Sequence, residues 1–289
     1  MALRILVPYD GSAGSKAALA VARLLADQLG HRIHLLHVTD TPSAEAQVRR
    51  RLHIGQLRAK NLVFSVRVGE PSEEIALEGG AEDVALIVMA THGGAASEEH
   101  PLAPITHATT LKSPCPMVLV TPELLGRPEI PPMRKLLLPL DGSPTTARAL
   151  RTATQLAEDL GASIDLLYVA GPGQAAHEPG GMTVPRYVDQ PHHEWPHWGE
   201  EVVDRLLRGL ARCPDTVPVD IFLTDGEPGP EIAQFAARHE EDGIVLVRRS
   251  QLEPGRGKIL RHLLAQTPIP VIFVIAQHPR YVFPSVQAS

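Results

Sequence analysis

The residues with the chemistry to hold a ligand gather in a few short stretches. Residues 88–111, VMATHGGAASEEHPLAPITHATTL, read as the end of a buried strand, a loop with Gly93 and Gly94, and then a helix. Many α/β proteins hold a phosphate at such a junction, because backbone N–H groups and a helix N-terminus converge there. The same loop carries Glu98 and Glu99, whose charges repel an anion they face, and Pro101 and Pro104, which have no N–H to offer. A second stretch, VRRSQLEPGRGKILRH (247–262), holds Arg248, Arg249, Arg256, Lys258 and Arg261. Those side chains can bind phosphate by charge and fork geometry without a glycine cradle. They can equally form a solvated basic loop or pair with the acidic remainder of the chain.

Asp10 and Asp141 each close a short apolar run, ILVPYD and LLLPLD. A carboxylate at the carboxyl end of a parallel strand faces the edge where such sheets bind ligands. The same residue can instead cap the next helix or anchor the loop. His177, His192, His193 and His197, with Glu178, Glu194 and Glu200, have the composition of a metal cluster. They lack the HExxH order, and Pro191 and Pro196 oppose a shared helical face, so the stretch reads as a polar arm with no metal assigned. Trp195 and Trp198 could anchor that arm. No catalytic residue is assigned: His92 stands beside Thr91, but no acid partner completes a set.

The elements that position these residues come from an internal duplication. RILVPYDGSAGSKAALAVARLLADQLGHRIHLLHV (4–38) aligns without a gap with KLLLPLDGSPTTARALRTATQLAEDLGASIDLLYV (135–169), at an offset of 131 residues. Gly69-Glu70-Pro71 then matches Gly226-Glu227-Pro228, and SPCPMVLVTP (113–122) matches TPIPVIFVIA (267–276). The reading is two repeats, 1–126 and 134–280, joined by a Pro-rich linker (127–133) and followed by a tail (281–289). The second repeat carries the polar arm, 171–201, where the first has only a short connection.

In each repeat, short apolar strands alternate with amphipathic helices. Ala17, Ala18, Val21, Leu24, Leu25 and Leu29 mark one helical face over 13–29, and Gly30 and Gly161 stand where that helix should stop. VALIVMA and GIVLVR are apolar throughout, as strands buried on both faces are. A second helix is expected over VRRRLHIGQLRAK in the first repeat and VVDRLLRGLARC in the second. This pattern predicts an α/β fold of two repeated doubly wound domains, each with a mostly parallel five-stranded sheet.

ILVPYDGS and LLLPLDGS, LLHV and LLYV, the paired Gly-Glu-Pro, ALIVMATHG and SPCPMVLV occur in the order of the universal stress protein family. The chain resembles that family in its tandem form over nearly its whole length. The resemblance implies flavodoxin-like layering and an internal pseudo-dimer made through the fifth strands, PMVLV and PVIFVI. The family includes adenine-nucleotide binders and members that do not bind ATP. The binders share a fingerprint after strand four: Gly, two residues, Gly, nine residues, then Gly followed by Ser or Thr.

Here the first repeat has Ala90 at the first position, then Thr91, His92 and Gly93, keeps nine residues, and ends in Ala103-Pro104. The second repeat replaces the start with Val247-Arg248-Arg249-Ser250, is three residues shorter, and reaches Gly257-Lys258 by counting back from TPIPV. The candidate nucleotide contacts implied are Pro8, Asp10, Val38, Thr91, His92 and Gly93 in the first repeat. In the second they are Asp141, Val169, Arg248, Arg256, Gly257 and Lys258. Val38 and Val169 resemble positions that pack near an adenine, or are ordinary core residues.

The expected function is a non-enzymatic stress-response module with weak or absent adenine-nucleotide binding. The alternatives are an ATP or AMP binder with slow hydrolysis, and an adaptor that uses the 171–201 arm. A homo-oligomer is left open. A net charge of −6 over 289 residues argues against a nucleic-acid partner, which favours a basic face. No run reaches the roughly 18 apolar residues of a membrane span, and the first residues read as a strand rather than a signal peptide. Cys115 and Cys213 form no CxxC pair and read as free thiols. The expected location is the cytoplasm.

Overall fold

The computed structural model describes residues 3–57, 61–92, 102–126, 130–141, 144–170, 216–248 and 254–275. The first repeat runs β1 (Arg4–Pro8), α1 (Ala13–Leu29), β2 (Arg32–Thr39), α2 (Glu45–Arg51), β3 (Leu62–Val68), α3 (Pro71–Gly79), β4 (Val84–Ala90), α4 (Pro104–Lys112) and β5 (Met117–Val120). The second runs β6 (Lys135–Leu140), α5 (Pro144–Leu160), β7 (Ser163–Ala170), β8 (Val219–Asp225), α6 (Pro228–Arg238), β9 (Gly243–Arg248), α7 (Pro254–Gln266) and β10 (Val271–Ile275).

The apolar patterning explains the layering. All seven residues of β4 are buried, as expected for a strand covered on both faces. α1 buries Ala17, Ala18, Val21, Ala22 and Leu25, a stripe at helical spacing. The helix stops at Gly30, which takes the left-handed conformation, and Gly161 does the same after α5. The Gly-Glu-Pro stretch opens α3: Glu70 is the N-cap and accepts a hydrogen bond from the Glu73 N–H at 2.9 Å, and Pro71 takes the first helical position.

The strands form one ten-stranded sheet in the order β3-β2-β1-β4-β5-β10-β9-β6-β7-β8. Within each repeat the neighbours are parallel. Across the seam β5 and β10 run antiparallel, with Leu119 opposite Val271, Val118 opposite Ile272 and Met117 opposite Phe273. The carboxyl edges of the two repeats therefore point in opposite directions. One buried cluster, from Ile5 and Val7 through Val118 to Leu138 and Ile272, continues across the seam.

One expected element differs. The second helix of the first repeat begins at Glu45 and ends at Arg51, earlier than the VRRRLHIGQLRAK reading. Val48 is its only buried residue, so little packing extends it. His53 then enters the left-handed region with φ 54°, and Ile54–Gln56 forms a single 3-10 turn that contains Gly55. VVDRLLRGLARC, the 171–201 arm with its histidines and tryptophans, Cys213 and the 281–289 tail lie outside the described residues. Cys115 is buried, with its Sγ 3.6 Å from Ser113 Oγ.

Candidate functional site

The carboxyl edge of the first repeat is built from the ends of β1, β2 and β4, which are adjacent in the sheet. Pro8 closes β1 half-buried, Asp10 follows it exposed, and Val38 is half-buried near the end of β2. Asp10 Oδ1 accepts the Ser12 N–H at 2.9 Å, and Ser12 Oγ in turn accepts the Ser15 N–H at 3.2 Å, capping α1. Partial desolvation pushes the Asp10 carboxyl up, but the hydrogen bonds around Ser12 and Ser15 outweigh it and hold it below the ordinary value. The edge thus presents an ionised, solvent-facing carboxylate already tied to its own loop. Val38 also packs against a buried cluster, so it serves the core at the same time.

The loop after β4 has both of its ends pinned. The Thr91 N–H donates to the Val120 carbonyl at 2.9 Å, which extends the β4–β5 pairing by one residue. The Ala103 N–H donates to the Thr91 carbonyl at 2.8 Å, and Thr106 Oγ1 donates to the Ala90 carbonyl at 2.9 Å. Ala103 is the N-cap of α4 and supplies no side-chain cap, while Pro104 occupies the first turn. The amide that stands where the fingerprint's final glycine would be is therefore engaged by the loop's own beginning, and the next residue has no amide to offer. Gly93, Glu98 and Glu99 lie outside the described residues.

Gly14, in the first turn of α1, brings that helix onto the same loop. A Cβ at Gly14 would lie 2.1 Å from the His92 carbonyl oxygen and 2.9 Å from Ala90 Cβ. Sequence reading passed over this position. Gly14 meets Thr145 at the offset of 131 residues, a difference between the repeats that marks the position without naming its contact. Thr91, nearly fully buried, and His92, half-buried, also line a groove of about 580 Å³ on the seam. Its other walls include Thr121 and Glu123 after β5, Gln266 at the end of α7 and Thr267 just beyond it.

In the second repeat, Asp141 follows β6 half-buried, and its Oδ1 accepts from Thr146 Oγ1 at 2.7 Å. Val169, near the end of the adjacent β7, is buried in the core. Arg248 ends β9, opposite Ile275 of β10. α7 begins at Pro254, so Arg256, Gly257 and Lys258 lie inside the helix and do not open it. The helix starts a turn earlier than the count back from TPIPV implies. Proline suits a first helical position, which makes Pro254 the natural start. Lys258 is exposed. The structure thus groups Pro8, Asp10, Val38, Thr91 and His92 along one edge and Asp141, Val169 and Arg248 along the opposite one. The two sets do not share a site.

Among the described residues, no group of three or more His, Cys, Asp or Glu is arranged to hold a metal ion, and no helix is long and apolar enough to cross a membrane.

The model of the universal stress protein family matches the chain twice, over residues 1–121 and 132–274. A protein described as "Universal stress protein in QAH/OAS sulfhydrylase 3'region" from Thermus aquaticus is 30% identical over 132 residues, 40% of this chain and 96% of that protein. The crystal structure of a universal stress protein from Archaeoglobus fulgidus superposes with a TM-score of 0.59 at 16% identity, covering 95% of this chain and 98% of that one. A putative universal stress protein from Pseudomonas aeruginosa superposes with a TM-score of 0.55 at 15% identity, covering 94% and 92%. The structural likenesses establish the fold, and the doubled family match with its Thermus relative carries the assignment further: the chain belongs to the universal stress protein family, with two family domains in tandem.

Proposed function

We propose that this protein is a non-enzymatic stress-response module in which the first repeat keeps the frame of a nucleotide site but holds adenine nucleotides weakly or not at all. One observation carries the reading. The Ala103 amide, placed where the final glycine of the fingerprint would meet a phosphate, is bonded to the Thr91 carbonyl at 2.8 Å. Pro104 beside it supplies neither an amide nor a hydroxyl, so α4 opens with two of its natural anion donors spent or missing. The two repeats work as a pair within one chain, and no substrate chemistry is assigned to either.

A second reading, adenine-nucleotide binding at the first edge, is favoured by the exposed, ionised Asp10 carboxylate beside Pro8 and Val38, which is suited to accept ribose hydroxyls. Calorimetric titration of the full chain with ATP and Mg²⁺ separates the two. The expected result is little or no saturable heat. Saturable binding that disappears in Asp10→Ala would establish the second reading instead. The double variant Ala103→Gly with Pro104→Ser restores a donor and a hydroxyl. It is expected to bind about tenfold more tightly than the parent, since a hydrogen bond to a charged group is worth about 1.5–3 kcal/mol.

A further inference from the structure

The amino ends of the strands in each repeat, opposite that repeat's own candidate edge, carry a buried charged cluster, and the two clusters are built on matching positions. Arg4 and His34 of the first repeat meet Lys135 and Asp165 of the second at the offset of 131 residues. In the first repeat every carboxylate is hydrogen-bonded to a guanidinium. Glu78 bridges Arg4 and Arg67, Asp83 takes the other side of the Arg4 guanidinium at 2.8 Å, Glu74 pairs with Arg67 at 3.3 Å, and His34 donates to or accepts from Ser65 at 2.7 Å. Burial keeps the His34 ring below its ordinary value.

The second repeat differs. Lys135 Nζ is 3.0 Å from Asp165 Oδ2 and 3.6 Å from Glu241 Oε1, so one ammonium faces two carboxyl groups. The Asp165 and Glu241 side chains are 1% and 0% exposed. Both Glu241 carboxyl oxygens are buried without a hydrogen-bond donor in place, and Lys135, the cation beside Asp165, also directs a hydrogen bond to the His239 carbonyl at 3.1 Å. Two further groups lie beside the cluster. His239 Nδ1 is 3.9 Å from Asp165 Oδ2, and its ring is stacked on Phe235 at 3.9 Å and set edge-on to Phe222. The Asp242 carboxylate accepts the Arg134 and Lys135 N–H groups at 2.9 and 3.0 Å. A second bare carboxylate in this setting costs more than one proton does.

We propose that Lys135, Asp165 and Glu241 form a one-proton switch: Glu241 is held as the neutral acid at neutral pH, and its ionisation in mild alkali loosens the amino edge of the second repeat. Burial first, and the Asp165 carboxylate second, push Glu241 up to about 8, while Lys135 pulls the other way. Burial lowers the Lys135 ammonium's hold on its proton, but Asp165 and Glu241 together keep it above its ordinary value, so Lys135 stays charged through that range. The folded chain binds the Glu241 proton more tightly than the unfolded chain does. That contribution to stability is complete below the ordinary carboxyl range and is lost as the pH rises towards about 8. The groups released would be the start of β6, the start of β7 and the turn before β9, which Lys135, Asp165 and Glu241 join.

The test is unfolding of the full chain across pH, with wild type beside Glu241→Gln. The glutamine keeps the shape and cannot lose a proton, so the folding constant of the variant relative to wild type should rise about tenfold per pH unit and level off above the transition. Parallel curves overturn the proposal. Infrared spectroscopy of the folded wild type decides the question even if the variant fails to fold. A protonated-carboxyl band should be present at neutral pH and vanish as the pH rises through about 8. Its absence at neutral pH, or its persistence in Glu241→Gln, overturns the assignment.

Discussion

At Gly14 the backbone of α1 meets the backbone of the loop after β4 with no room for a side chain. The first methyl group of alanine would fall 2.1 Å from the His92 carbonyl oxygen, far inside van der Waals contact, and the obstacle is backbone, which cannot swing aside. Gly14→Ala should therefore cost about 1–3 kcal/mol, the usual range for overpacking, even though alanine is the better helix former. Urea denaturation measures it, and an unchanged midpoint would mean that the helix and loop separate freely. The loop is placed by this contact as much as by its own residues, because His92 opens it and Thr91 and Ala103 clamp its ends.

Three helix starts of the first repeat treat their unsatisfied amide groups differently, which is visible at the scale of the element. α1 uses Ser12, with Asp10 fixing the Ser12 amide behind it. α3 uses Glu70 and Pro71. α4 has Ala103 and Pro104, without a side-chain cap. The Asp-Gly-Ser stretch thus serves the helix whatever else its carboxylate does. Ser12→Ala should lower stability by about 1 kcal/mol, the ordinary worth of an N-cap, measured by chemical denaturation. A loss of nucleotide affinity without any loss of stability would instead place Ser12 in a ligand site.

For the molecule as a whole, the seam joins the repeats more firmly than a tether would. β5 and β10 share hydrogen bonds within one continuous sheet, and the core runs through them. Gln28, near the end of α1, reaches both the linker and the second repeat. Its Nε2 donates to the Met133 carbonyl at 3.1 Å and to the Leu160 carbonyl at 3.4 Å, and its Oε1 accepts the Met133 N–H at 3.1 Å. Met133 itself is buried, so Gln28→Ala leaves its backbone groups unpaired and should cost about 1–3 kcal/mol. Calorimetry should show the wild type unfolding in a single transition that moves to lower temperature in the variant. Two separate transitions in the wild type would show that the repeats unfold independently.

Much of the architecture was legible in the residues. Apolar runs at β4 and β9, the helical stripe of α1, the stopping glycines and the duplicated order all report local preferences repeated twice, and local preferences are carried by neighbours in the chain. The doubled motifs also led to the family. The α2 boundary was not legible, because a helix with one buried residue has no stripe to read. Counting back from the following strand aligns Gly257 with the first repeat's Ala103 and does not reveal that α7 already begins at Pro254, a turn sooner. The fate of the loop lay beyond sequence as well. Nothing in Thr91, Ala103 or Gly14 says that one carbonyl will take an amide twelve positions on, or that another will lie against a helix seventy-eight positions earlier. The same holds for Lys135, Asp165 and Glu241, which are distant in the chain and become neighbours only through the order of β6, β7 and β9. Local patterning carried most of the elements, their repetition and the family, because it rests on neighbours in the chain. The tertiary structure decided which amides, carbonyls and charges are already spent, since those partners are chosen by which strands lie side by side and how closely the helices approach them.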